Sequence, residues 1–230
     1  MFEWFLGGGG AGTAGLERMH SEFGEMLDAG RHAFATAADA FLGGTDPETI
    51  REDLFKTDKR INRAERQIRR EIVVHVSVQG AANFPACLVL MSIVKDAERI
   101  GDYAKNLFDL AKLAPHSPAG PYAEDLAALK GRVVVLMSAC HQAIDASQKE
   151  QAKEVIRAAQ KIEDQCDEKV RGLIGGVGEP EMGPTYVLAY RYFKRVTAHV
   201  RNIASSVVQP VHKLDFTSKF AKEEPDPPAE

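Results

Sequence analysis

The stretch Asp96-Ala97-Glu98-Arg99-Ile100-Gly101-Asp102-Tyr103-Ala104-Lys105-Asn106 sets the reading of this chain. Ala97, Ile100 and Ala104 recur at the three- and four-residue spacing of one helix face, and Glu98 and Asp102 stand one turn apart beside it. The apolar spacing continues through Leu90, Ile93, Val94, Leu107, Phe108 and Ala111, so a helix is expected from Pro85 to about Leu113. Glu98 and Asp102 are expected to flank its buried stripe and reach solvent. Two carboxylates at that spacing can hold a hard cation or pair with Lys95, Arg99 and Lys105 on a solvated face.

On the N-terminal side, Thr45-Asp46-Pro47-Glu48 reads as a capping box with proline at or near the first helical position. It opens a second helix whose apolar seam is Ile50, Leu54, Ile61, Ala64, Ile68, Ile72 and Val76. A polar row of Asp58, Asn62, Glu65 and Arg69 lies beside that seam. His75, on or near the seam, reads as a hydrogen-bonded core histidine. Before this helix, Leu16, Met19, Phe23, Met26, Leu27, Phe34 and Phe41 mark a first helix over about 14–42, ended by Gly43-Gly44. Glu17 and His20 show the Glu-x-x-His spacing of di-iron bundles, which require two such pairs and two further glutamates.

On the C-terminal side, the linker 114–121 (APHSPAGP) divides the chain into halves of similar size. Three more helices are expected, over about 122–146, 149–174 and from Pro184 to near Pro210. Aligning Glu98 with Lys194 places Ile100 on Val196, Ala104 on Val200 and Leu107 on Ile203, and aligning Asp58 with Glu163 places Asn62 on Asp167. The fold class expected is all-α, two tandem three-helix bundles related by an internal repeat. The expected organisation is a flexible glycine-rich leader at 1–13, bundles at 14–113 and 122–214, and a disordered acidic, proline-rich tail at 215–230.

Glu98-Arg99-Ile100-Gly101-Asp102, with Pro85, Ala86, Leu88 and Leu90 as its lead-in, resembles the signature helix of the PhoU family. The resemblance extends from the first helix to the sixth and implies the same duplicated bundle. In that family the second and third helices of each half carry Glu/Asp-x-x-x-Asp motifs whose carboxylates bind iron, zinc or other cations. The resemblance therefore points to Asp58, Asn62, Glu98 and Asp102 as a metal site for a cation such as iron, zinc or magnesium, with Glu163 and Asp167 as a weaker one. The second half departs from the motif, with Lys194 and Ala198 in place of its two acids. Lys194, flanked by Arg191, Arg195 and Arg201, opposes a cation there, and surface salt bridges with Glu163 and Asp167 are expected instead. Lys194, Arg195 and Arg201 form a candidate anion site.

Composition narrows the function classes. The 230 residues are 44% hydrophobic and 27% charged with net charge -4, which suits a globular protein and argues against nucleic-acid binding. Cys87, Cys140 and Cys166, each in an apolar helical pattern, read as reduced core thiols of a cytosolic protein. The expected location is the cytoplasm, free or peripheral at the inner face of the membrane. No nucleophile with a base and acid, no phosphate loop and no dinucleotide fingerprint is present, so no enzyme is expected. By resemblance, the function is a regulatory adaptor that acts negatively on phosphate uptake and signalling. Its partners would be a phosphate transporter ATPase or a sensor histidine kinase, and the chain is expected to be a homo-oligomer. The alternatives are a di-iron type metal-binding bundle and an accessory protein of another phosphate transporter.

Overall fold

The computed structural model describes residues 13–176 and 182–215; residues 1–12 of the expected leader and 216–230 of the expected tail fall outside these. Six α-helices make up the architecture: α1 Thr13–Phe41, α2 Pro47–Gln79, α3 Phe84–Leu113, α4 Pro121–Asp145, α5 Lys149–Ile174 and α6 Gly183–Val208. There is no strand among the described residues, and none of their helices is long and apolar enough to cross a membrane.

The α2 start shows how local chemistry sets an element. Its N-cap is Asp46, not Thr45: the Asp46 side chain accepts a 2.9 Å hydrogen bond from the Glu48 backbone N–H, and Pro47 takes the first helical position. Glu48 does not fold back to close a capping box. Its carboxylate instead meets Lys112 at the end of α3, at 2.7 Å.

Helices α1, α2 and α3 pack together as one antiparallel bundle and α4, α5 and α6 as the second, with α3 laid against α6 and α1 against α4. The apolar seams of all six helices merge into a single core. Phe34 of α1 and Phe193 of α6, both fully buried, meet edge to face across the two bundles with ring centroids 5.1 Å apart. Such a contact is worth about 0.5–1.5 kcal/mol beyond the area it buries.

Two glycines permit close approach to α3. A Cβ on Gly30 would stand 3.2 Å from Ile100 Cγ2, and one on Gly101 would stand 3.2 Å from Ile61 Cδ1. Hence Gly101, in the middle of Glu98–Asp102, seats α3 against α2 and brings the acids of both helices to one groove.

Candidate functional site: a charged groove in each bundle

Lys95, Glu98, Asp102 and Lys105 are spaced by three, four and three residues, so they form one stripe along α3. The facing stripe of α2 carries Asp58 and Glu65. Lys105 reaches Asp58 at 2.8 Å and Asp102 at 3.2 Å, and thus bridges the two helices. One end further, Lys95 pairs with Glu98 at 2.7 Å and lies 3.7 Å from Glu65. Arg69 and Arg99 complete the rim, at 3.1 Å from Glu65 and 3.5 Å from Asp102.

The acids lie deeper than expected. Glu98 is buried, at 9% exposure, and so is Glu65 at 6%. Their stripe was expected to be solvated, but the close α2/α3 seating roofs each carboxylate with the opposite helix. Burial without a partner would cost several kcal/mol per charge, so each acid sits beside a cation. Burial also works against the charge of Lys105, yet its contacts with Asp58 and Asp102 outweigh that effect and raise its pKa.

The second bundle repeats the arrangement with other residues. Arg201 of α6 donates to Glu163 of α5 at 2.7 Å and 3.3 Å, and Lys194 donates to Asp167 at 2.5 Å. Glu163 is 5% exposed, so this is a buried pair and not the surface bridge expected. Burial pushes the Glu163 carboxyl pKa up, against the opposing pull of Arg201. The three cations of the candidate anion site face three different neighbours: Lys194 meets Asp167, Arg201 meets Glu163, and Arg195 donates to the Tyr103 hydroxyl at 3.0 Å.

A third polar set joins the bundles and carries residues the sequence reading did not single out. His199 Nδ1 donates to Asp96 Oδ1 at 2.6 Å, and Asn202 donates to the same oxygen at 3.2 Å. Tyr103 stacks on His199 with centroids 5.7 Å apart. These pairs link α3 to α6, and only the packing of one bundle on the other brings them together. No spacing within either helix announces a partner some hundred residues away.

A divalent cation needs oxygen ligands at about 2.0–2.6 Å. In the first groove the Asp58 and Asp102 oxygens instead converge on an ammonium, and Asn62, between Asp58 and Glu65 on α2, offers its backbone oxygen to Arg66 Nε at 3.1 Å. Among the described residues no group of three His, Cys, Asp or Glu side chains is placed to hold a metal ion. The Glu17/His20 pair does not form a di-iron half-site either: Glu17 is exposed, while His20 lines a partly open pocket of about 280 Å³ with Leu16, Phe23 and Gln209. Burial lowers the His20 pKa, with Asp145 opposing it and His141 adding to it.

The PhoU domain matches residues 23–111, which span most of α1, all of α2 and nearly all of α3, and contain Asp58, Glu98 and Asp102. Residues 23–111 thus match a PhoU domain. The chain is similar to the phosphate-specific transport system accessory protein PhoU homolog of Synechocystis, with 28% identity over 165 residues covering 67% of this chain and 71% of that one. Its fold is similar to the crystal structure of the phosphate transport system regulatory protein PhoU from Streptococcus pneumoniae. The TM-score is 0.74 at 16% identity, over 86% of this chain and 95% of that one. The crystal structure of PhoU from Pseudomonas aeruginosa gives 0.68 at 20% identity, over 90% and 97%. The structural likeness covers 86–90% of this chain and so extends into the second bundle.

Proposed function

We propose that this protein regulates phosphate transport by binding protein partners rather than by catalysis, and that its effect is negative when phosphate is plentiful. The observation that carries this reading is the PhoU domain over 23–111, which includes the Glu98–Asp102 stretch of α3, together with a relative named as an accessory protein of phosphate-specific transport. The partners in this reading are the transporter ATPase or a sensor kinase at the cytoplasmic face of the membrane. The contact surface we favour is the end of α2 and the start of α3. Val73, Val74 and Val78 are 57–73% exposed there, with Phe84 and Leu88 also exposed. Arg63, Arg66 and Arg70 stand exposed beside them, and Arg63 and Arg70 make no ion pair among the described residues. An apolar patch with a basic rim suits a partner presenting an acidic rim around apolar side chains.

Disruption of the gene in its own organism, with complementation by the wild-type chain or by Val74→Glu/Val78→Glu, tests the reading. Loss of the gene is expected to raise phosphate uptake and switch on a phosphate-starvation reporter in replete medium, with the double variant failing to restore repression. Unchanged uptake and reporter signal on disruption would overturn it.

A further inference from the structure

Every carboxylate turned into the two grooves is met by a nitrogen cation of its own bundle. In the first, Lys105 lies between Asp58 and Asp102 and Lys95 between Glu65 and Glu98. In the second, Lys194 meets Asp167 and Arg201 meets Glu163. We propose that these side chains are resident cations: they occupy the positions a divalent metal ion would take among these carboxylates, and the two grooves are closed by the protein's own charge.

The argument is geometric and electrostatic. An ammonium 2.8 Å from Asp58 and 3.2 Å from Asp102 uses the oxygens a metal would need. It also puts a positive charge within one ion diameter of any cation that entered. Lys105 is tethered one turn from Asp102, and Lys95 one turn from Glu98, on the same stripe of α3. Each is therefore present at a high effective concentration and carries no cost of association. A metal in solution has to displace both an attached partner and a like charge. The second groove extends the same substitution, since Lys194 stands where the internal repeat places an acid. The proposal concerns charge within the grooves and does not depend on the role in phosphate transport.

The test uses the full chain after chelation, with Mn2+ alone as the probe, read by isothermal calorimetry, by Mn2+ paramagnetic resonance and by thermal unfolding. For the wild type the expectation is no stoichiometric Mn2+ binding and an unfolding temperature that neither chelator nor Mn2+ moves. The Lys95→Met/Lys105→Met variant leaves the four acids without their ammoniums. It is expected to bind Mn2+ at least about tenfold more tightly than the wild type and to unfold at a higher temperature when Mn2+ is present. Adding Asp58→Asn should abolish that gain. If the double variant does not fold, Lys105→Gln alone is read, with the same direction expected. Stoichiometric Mn2+ binding by the wild type that Glu98→Gln/Asp102→Asn removes would overturn the proposal, as would folded lysine variants that gain no Mn2+ affinity.

Discussion

Cys140 and Cys166 are free and completely packed away, and burial pushes both thiol pKa values up to about 12. Tyr190 is raised as well, by burial and by the hydrogen bond its hydroxyl donates to Asp125 at 2.7 Å. An acid whose folded pKa exceeds its unfolded value holds its proton longer in the folded chain. Stability is therefore lost as pH rises above the ordinary thiol value of 9.0. The unfolding free energy read by urea titration should fall from pH 7.5 to pH 10 by about 1–2 kcal/mol for each buried thiol, and Cys140→Ala/Cys166→Ala should shrink that fall. A thiol reagent should react slowly with the folded protein at pH 8 and with all three cysteines in denaturant. The Asp96 carboxylate, 9% exposed, is the common acceptor for His199 and Asn202. Asp96→Ala strands both donors and is expected to cost about 3 kcal/mol by denaturant unfolding. Asp96→Asn, which keeps an oxygen there, should cost less. The sequence marked Asp96 only as the start of a motif, because its partners arrive from α6.

Helices were the most legible feature. Apolar residues at helical spacing, with Pro47, Pro85 and Pro184 near starts and Gly43, Gly80 and Gly175 near ends, predict bounds within a few residues of α1 to α6. That legibility is local, since caps and seams act within a turn or two. The cap residue itself was missed by one position: both Thr45 and Asp46 can cap, and the φ/ψ of -63° and 125° at Asp46 decides between them. Asp46→Ala should lower stability by about 1 kcal/mol, measured by chemical denaturation, whereas Thr45→Ala should have a smaller effect. Gly101 tests the seating of α3 on α2. Its Cβ would meet the mobile end of Ile61 at 3.2 Å, so Gly101→Ala is expected near neutral, with crowding offset by a gain of about 1 kcal/mol in helix propensity. Gly101→Leu should cost about 1–3 kcal/mol.

The two bundles share their core. Phe34 packs on Phe193, Lys130 of α4 pairs with Asp39 of α1 at 2.5 Å, and Arg195 of α6 lies over the Tyr103 ring at 5.7 Å. A chain ending at residue 113 would expose Phe34 and its neighbours on α1 and α3. That fragment is expected to bind a hydrophobic dye, as read by fluorescence, and to form larger species than the full chain by sedimentation at the same concentration, while the full chain binds no dye. A monomeric, dye-free fragment would show that each half closes its own core.

Apolar periodicity, punctuation by proline and glycine, and the matched seams of the halves contain the all-α class and the duplicated layout, because burial of a stripe every three or four residues admits few other packings. The Glu98–Asp102 signature carried the resemblance that the PhoU domain match over 23–111 also finds. What the carboxylates meet was decided only when helices docked. The depth of Glu98, the entry of Glu65, the lysine bridges and the Asp96–His199 link all depend on how closely one rod lies on the next, and in the low dielectric of that contact each buried charge takes the nearest opposite one.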